Sequence, residues 1–177
     1  MDLRYVYSLI LTLLIAAQCV CIVIARKSRK EIGRSVAWLD AAFIPPMIGN
    51  LILIGVHTKE AAMIGSYIYF IGMDIVMLAF MNFASAYCKG AGQETKHKIP
   101  FLNFILLGGD ALQLALNTVF GHAFDLEPVE DGGMIYYRLV PYWGQTIHRI
   151  IDYGIFLAIV LIFNVCSSTA NQLHSAA

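Results

Sequence analysis

Residues 99–120 read IPFLNFILLGGDALQLALNTVF, and this stretch decides how the whole chain can fold. Its length and apolarity match a membrane-spanning helix, which needs about 20 apolar residues that rise about 1.5 Å each. Within it, Asn103, Asp110 and Asn117 recur at every seventh position, and Gln113 lies within reach of the same helix face. Lipid offers these groups no hydrogen-bond partner, so the face is predicted to turn toward other helices or toward a polar cavity.

The composition of the whole chain is typical of a membrane protein. Of its 177 residues, 59% are hydrophobic and only 14% are charged, and the mean hydropathy is +0.69. A soluble domain normally carries about 25% charged residues. We therefore expect an integral membrane protein that contacts membrane lipid, and we expect no nucleic-acid partner.

Five apolar stretches are predicted to cross the membrane as helices, at about residues 5–25, 36–56, 61–86, 99–120 and 147–166. The short loop after the first stretch holds Arg26, Lys27, Arg29, Lys30 and Arg34. Such basic clusters mark the cytoplasmic side of a membrane. The predicted fold is therefore an all-α, five-transmembrane-helix bundle that forms a single domain, with its amino terminus outside and its carboxyl terminus in the cytoplasm.

Two stretches are predicted to depart from straight helix. Pro45 and Pro46, within the second span, remove two backbone donors and should kink or unwind that helix. The longest loop, residues 121–147, is acidic and contains EDGG followed by MIYYRLV. This pattern is typical of a turn that leads into a strand, so we expect a short extracellular β-hairpin between the fourth and fifth spans.

The four cysteines are interpreted as small thiols of the packed core. Cys19, Cys21, Cys88 and Cys166 all lie in spans or at their cytoplasmic ends. This placement predicts no external disulfide. The spacing of Cys19 and Cys21 also points their side chains to different helix faces, which makes them a poor metal-binding pair.

Two acidic residues are predicted near the middle of the membrane. At about 1.5 Å per residue, Asp110 lies about 15 Å into the fourth span, and Asp74 is similarly central in the third. All lysines lie in loops, and apart from Arg138 and Arg149 at the interface we expect no base near these acids. Three interpretations stay open: the acids hydrogen-bond and fix helix packing, they bind a proton or another cation, or they line a ligand pocket.

A second polar set is predicted in the outer leaflet on four different helices. Helical bundles commonly bind ligands in an apolar hollow with a few convergent polar groups. We therefore expect an outward-facing pocket beneath residues 121–147, with interhelical hydrogen bonding alone as the alternative. The candidate ligand-binding residues are Asn50, Tyr67, Gln113, Asn117, His148, Asp152 and Tyr153, with Ser66 at the same level.

The remaining patterns support no metal, cofactor or enzymatic chemistry. His57, His122 and His148 lie at one predicted level, but no pair has helical ligand spacing, so they are only weak metal candidates. A haem would need histidine pairs at depth and a retinal would need a buried lysine, and the spans offer neither. The chain contains no G-x-S-x-G, H-E-x-x-H or phosphate-binding glycine motif, so we predict no enzyme and assign no cofactor.

Several short sequence features follow one another in a defined order along the chain. They are a first span that ends in a basic loop, Trp38, the segment FASAYCKG, the exit Asn117…His122, and then Trp143, His148 and Tyr153. In this order the chain resembles, over about residues 5–163, the amino-terminal seven-helix sensor region of bacterial histidine kinases and some diguanylate cyclases. That family would have two more spans and a cytoplasmic output domain, and it tends to have proline where Asp74 stands here.

The resemblance implies a multi-pass receptor in a bacterial inner (plasma) membrane. It would bind a small molecule or lipid in the outward-facing pocket. It would signal to a cytoplasmic histidine kinase of a two-component system or to a diguanylate cyclase, and it could form a homodimer. Two alternatives come from the residues themselves. One is a small transporter or proton-coupled carrier that uses Asp74 and Asp110. The other is an assembly subunit whose polar fourth span binds another membrane protein.

Overall fold

The computed structural model describes residues 3–28, 30–90, 101–131 and 134–175. Its elements are α1 (Leu3–Arg26), α2 (Glu31–Gly55), α3 (Lys59–Gly90), α4 (Phe101–Ala115), α5 (Asn117–Phe120), β1 (Phe124–Asp131), β2 (Met134–Pro141) and α6 (Trp143–Ser175). Five helices are long and apolar enough to cross a membrane, with α4 and α5 together forming the fourth. The predicted number and order of such helices are therefore confirmed. Arg29 and the predicted start of the fourth span at residue 99 lie outside the described residues.

The last helix differs most from its predicted bounds. α6 begins at Trp143, four residues before the predicted start at residue 147. At about 1.5 Å per residue, this places His148 and Asp152 about 6 Å further from the helix start than the sequence suggested. The earlier start follows from β2, which ends at Pro141 and leaves only Tyr142 as a connection.

The predicted β-hairpin is present. β1 and β2 pair antiparallel, with Phe124 opposite Pro141 and Asp131 opposite Met134. The predicted glycine turn between the strands lies outside the described residues. We call the end of the bundle that carries this hairpin the hairpin end. The opposite end, where the basic segment joins α1 to α2, is called the basic end.

The interface between α2 and α3 is built on small residues that let two backbones approach closely. A methyl group added at Gly49 would lie 2.6 Å from the Gly65 carbonyl oxygen, and one at Gly72 would lie 2.7 Å from Cδ of Pro46. Such close packing is the usual way in which helices associate within membranes. α2 runs unbroken through Pro45 and Pro46, so the predicted unwinding does not occur.

The junction of α3, α4 and α6 is apolar toward the basic end. Met77, Met81, Leu107, Ile155 and Ile159 form one buried cluster there. A cavity of about 640 Å³ lies beside this cluster, and apart from Asn103 and Ser85 its lining is apolar. The bundle core therefore changes character along its length, because the same three helices carry polar side chains nearer the hairpin end.

A disulfide joins α3 to α6 at the basic end. Cys88 and Cys166 are bonded, and both are almost fully buried. The prediction that all four cysteines are free core thiols is wrong for this pair, because helix packing brings together two positions that are 78 residues apart. Cys19 and Cys21 are free, but both are exposed on α1 rather than part of a core.

Candidate functional site

Three helices each bring one ionisable side chain to a single buried point. Asp74 of α3, Asp110 of α4 and His148 of α6 are only 2–3% exposed. His148 Nδ1 lies 2.6 Å from Asp110 Oδ2 and 3.8 Å from Asp74 Oδ1. Its other nitrogen, Nε2, lies 3.4 Å from Oδ2 of Asp152, one turn further along α6. We call these four residues the buried centre.

The buried centre corrects one prediction and confirms another. The prediction that no base lies near Asp74 and Asp110 is wrong, because His148 is in contact with both carboxyl groups. The depth of His148 in the bundle was underestimated because the fifth span was expected to start only at residue 147. The inward orientation of the polar face of residues 99–120 is confirmed, since Asp110 and Asn117 are buried against other elements.

A chain of hydrogen bonds holds Asp110 in place from the hairpin end. Its Oδ1 accepts a bond of 3.0 Å from Gln113 Nε2, which also donates to the Gly144 carbonyl at 3.2 Å. Oε1 of Gln113 lies 3.1 Å from His122 Nε2. Because one carboxylate oxygen of Asp110 is taken by Gln113, only the other oxygen faces His148.

Asp74 is placed differently from Asp110. No N–H or hydroxyl group among the residues that the structure describes bonds either of its carboxylate oxygens, although its side chain is only 4% exposed. Its hydrogen-bonding neighbour is the carboxyl group of Asp110, as one of the open interpretations expects, whereas Asn103 and Tyr69 do not bond it. Asn103 instead donates to the sulfur of Met81 at 2.9 Å.

The electrostatics of the buried centre favour a bound positive charge. Three carboxyl groups surround one imidazole, so full ionisation of the acids would leave an excess of negative charge even with the imidazole protonated. Charges are costly to bury unless they are compensated. The arrangement can therefore hold shared protons or a cation.

A cavity of about 440 Å³ extends from the buried centre toward the hairpin end. It is lined by α2, α3, β2 and α6, and it includes His148 and Asp152 of the centre. Arg149 and the amide of Gln145 add a positive charge and a second polar group. Its apolar wall is formed by Leu53, Phe70, Met73 and Leu139. We call this space the outer cavity.

A second cavity, of about 450 Å³, lies beneath the hairpin. Asn117 organises it: its Nδ2 donates to Tyr67 Oη and to the Phe124 carbonyl, and its Oδ1 accepts from the Ala123 amide at 2.6 Å. These bonds anchor the start of β1 to the bundle. Asn117 and Tyr67 are therefore structural supports for the hairpin as well as cavity walls.

An ion pair also fastens the hairpin to α3. Lys59 Nζ lies 2.7 Å from Asp125 Oδ1, and both side chains are partly exposed. The hydrogen bond from Lys59, aided by the Leu126 amide, lowers the pKa of the Asp125 carboxyl.

The predicted ligand-binding residues thus fall into three places. Asn50, His148, Asp152 and Tyr153 line the outer cavity, together with Ser66. Tyr67 and Asn117 line the cavity beneath the hairpin. Gln113 belongs to the hydrogen-bonded chain that leads to Asp110.

Gln145 was missed, although it is only 1% exposed and lines the outer cavity. Gln145, His148 and Asp152 follow one another at spacings of three and four residues, which places them on one helix face. The sequence contained this signal, but the late predicted start of the fifth span hid it.

The three histidines considered as weak metal candidates do not form a group. His57 is exposed, whereas His122 contacts Gln113. Within the described residues, the side chains close enough to share a metal ion are those of Asp74, Asp110 and His148, with ligand atoms within 4.8 Å of one another.

Comparison of the chain with protein-family models, with curated proteins and with solved structures gives no match. The resemblance to the seven-helix sensor region therefore stays a prediction.

Proposed function

We propose that the chain is a membrane-embedded sensory domain that binds a small molecule in the outer cavity. The observation that carries this proposal is the cavity itself. Its volume of about 440 Å³ suits a small organic ligand. Arg149 and Asp152 offer opposite charges, and Phe70 and Met73 offer an apolar wall. This combination suits a polar ligand of modest size that also carries an apolar portion.

The position of the cavity supports a receptor. Its walls come from three helices and from β2, so a ligand there would contact elements that can shift relative to one another. α6 contributes most of the polar lining and continues to the basic end at Ser175. A ligand that prefers one arrangement of α6 against α3 would shift the balance between two states of the bundle. A cytoplasmic kinase or diguanylate cyclase would read that shift.

A small transporter or proton-coupled carrier is the second candidate. The chain of polar groups from His122 through Gln113 to the buried centre favours it, because it leads from the hairpin end to the middle of the bundle. A carrier also needs access from the other side. One turn beyond Asp74, Met77 begins an apolar cluster at the junction of the three helices, and the cavity beside that cluster is lined mostly by apolar side chains. The described residues therefore offer an ion few polar groups on that side, which favours a receptor.

An assembly subunit has the least support. That hypothesis assigned the polar face of residues 99–120 to a second membrane protein. In the structure, Asn103, Asp110, Gln113 and Asn117 all bond to groups within this chain.

Ligand-dependent thermal stabilisation tests the sensory proposal. The detergent-purified chain would be screened against amino acids, short organic acids and lysolipids. A ligand present at 100 times its Kd should stabilise the protein by about 2.7 kcal/mol. Asn50→Ala should abolish the shift. Asn103→Ala is the matched control, since Asn103 is also a half-buried asparagine within a span but lies outside the outer cavity. If a ligand stabilises the Asn50→Ala and Asp152→Asn variants as much as the parent protein, the proposed pocket is wrong.

A further inference from the structure

The buried centre contains an acid that the fold itself does not satisfy. No N–H or hydroxyl group among the described residues bonds either oxygen of Asp74, its neighbour is a second carboxyl group, that of Asp110, and the residue is only 3% exposed. It faces His148 Nδ1 at 3.8 Å, and His148 in turn contacts Asp110. A carboxylate buried in this way needs a compensating group. The neighbouring ligand atoms indicate which kind of group fits.

We propose that Asp74, Asp110 and His148 bind a divalent transition-metal ion. Two carboxylate oxygens and one imidazole nitrogen, with no thiolate, suit Zn²⁺ or Mn²⁺. Imidazole makes Mg²⁺ and Ca²⁺ poorer choices, because these ions prefer oxygen ligands alone. The two ligand carboxylates balance the charge of a dication, which lowers the cost of burying all three groups in a bundle core. The proposal does not rest on the sensory function.

Small movements would complete the coordination. Ligand atoms around a tetrahedral Zn²⁺ with bonds of about 2.0–2.1 Å lie about 3.4 Å apart. His148 Nδ1 and Asp110 Oδ2 lie 2.6 Å apart as a hydrogen-bonded pair, and Nδ1 lies 3.8 Å from Asp74 Oδ1. The first pair must therefore separate by less than about 1 Å, and Asp74 must approach by less than about half an ångström. In the metal-bound state, Nδ1 would carry a lone pair in place of its proton.

Two neighbouring residues already restrict the orientation of His148 and Asp110. Asp152 Oδ2 lies 3.4 Å from His148 Nε2, so it can accept the remaining ring proton. Metal-bound histidines commonly make this contact with a carboxylate. Gln113 holds Oδ1 of Asp110 and leaves Oδ2 toward the histidine. Asp152 and Gln113 are therefore positioning residues.

The outer cavity supplies an entrance to the proposed metal site. His148 and Asp152 form part of its lining, so an ion that enters from the hairpin end reaches the ligands without crossing the apolar cluster. Three protein ligands leave at least one coordination position open. Gln145 lines the same cavity, and its Oε1 is buried without a hydrogen-bond partner among the described residues.

Direct metal binding to the full chain tests the proposal. The purified protein would be stripped with a chelator and dialysed against Zn²⁺ or Mn²⁺, and the bound metal would be counted by elemental analysis. We expect one ion per chain, and a Co²⁺ titration should give the visible absorption of a site with nitrogen and oxygen ligands. Mg²⁺ at the same concentration should not compete. Metal content below a tenth of an ion per chain with both Zn²⁺ and Mn²⁺ would overturn the proposal.

Variants separate this site from adventitious metal binding. His148→Gln and Asp74→Asn should each abolish stoichiometric binding. Asp74→Asn also guards against misfolding, because an amide has nearly the same shape as the carboxyl group and no N–H or hydroxyl group of the described residues bonds Asp74. Asp152→Asn should weaken binding about 10–100-fold, as expected for a positioning residue, and should alter the Co²⁺ spectrum. Asp40→Asn and His57→Gln are controls, being a span acid and an exposed histidine outside the centre.

Binding that survives both ligand substitutions, or that the controls abolish equally, would refute the site. Because these measurements use no organic ligand, failure of the sensory proposal would leave their outcome unchanged. A metal-free result would equally leave the ligand screen standing.

Discussion

The α2–α3 interface and the α3–α4–α6 junction differ in the groups that make the contact between helices. α2 meets α3 through Gly49, Gly65 and Gly72, with backbones in direct contact. At the second junction, Asp110 of α4 contacts His148 of α6, and Asp74 of α3 faces the same imidazole at 3.8 Å. The α2–α3 interface has no room for another molecule. The α3–α4–α6 junction lies beside a cavity and contains a buried acid that no N–H or hydroxyl group of the described residues bonds.

This difference assigns separate roles to the two faces of α3. Close backbone packing has one good geometry, so α2 and α3 should behave as a fixed frame. Polar side chains can exchange partners, so α4 and α6 can occupy more than one arrangement against that frame. Substitutions on the two faces of α3 should therefore differ in their effect on stability.

The largest expected effect comes from breaking the His148–Asp110 pair. Asp110→Ala should lower the free energy of unfolding by about 3–5 kcal/mol, because it leaves a buried imidazole without its closest partner. Unfolding in mixed micelles without added metal would measure this. Asp74→Ala is the matched control and should cost far less, since His148 Nδ1 lies 3.8 Å from Asp74 but 2.6 Å from Asp110. Equal costs for the two substitutions would contradict the inferred asymmetry.

The next effect concerns the fixed frame. Gly49→Ala should cost about 1–3 kcal/mol, because the added methyl group would lie 2.6 Å from backbone atoms of α3. Gly108→Ala serves as the control, since a methyl group there meets no atom of another described helix or strand within 4 Å. That control should be neutral or stabilise the helix by up to about 1 kcal/mol. If both substitutions have the same effect on thermal unfolding, the close approach of α2 and α3 is wrong.

A smaller and local effect is expected at the hairpin. Asn117→Ala removes the acceptor of the Ala123 amide and the donor to the Phe124 carbonyl. Buried groups left without partners cost about 1–3 kcal/mol. Hydrogen exchange should therefore accelerate in β1 while α2 stays protected. Thr118→Ala, at an exposed neighbouring position, should leave the exchange of β1 unchanged. Uniform acceleration through the whole chain would mean that the hairpin is not a separate unit.

The smallest effect is a pH dependence at the ion pair between Lys59 and Asp125. The pKa of Asp125 is lowered in the folded protein, so this contact stabilises the fold at pH values above the ordinary carboxyl pKa of about 4. The contribution is lost as the pH falls below that value through the folded pKa. Asp125→Asn should remove this part of the acid sensitivity in thermal unfolding. A variant with the same pH profile as the parent protein would show that the ion pair contributes nothing.

The helices could be predicted from the sequence because the signal is local. Each span is an uninterrupted apolar stretch, and the strands of the hairpin follow a recognisable turn pattern. The seven-residue spacing of Asn103, Asp110 and Asn117 also correctly predicted the inward face of α4 and α5.

The buried centre could not be predicted because it depends on depth in three different helices. An error of four residues at the start of α6 placed His148 in the outer leaflet, away from Asp74 and Asp110. The pairing of Cys88 with Cys166 was missed for the same kind of reason. Both cysteines were correctly placed near one end of the bundle, but nothing local shows that α3 and α6 are neighbours there.

The disulfide has a mechanical consequence for any signal that starts at the hairpin end. Cys88 and Cys166 join α3 and α6 near the basic end, whereas the outer cavity lies at the opposite end of the same helices. A cross-link of this kind prevents one helix from sliding along the other. It still allows the two helices to rotate relative to each other about the cross-linked point. With the disulfide formed, a displacement of α6 at the cavity would therefore change the angle between α3 and α6. The segment of α6 beyond Cys166 would move in the opposite direction.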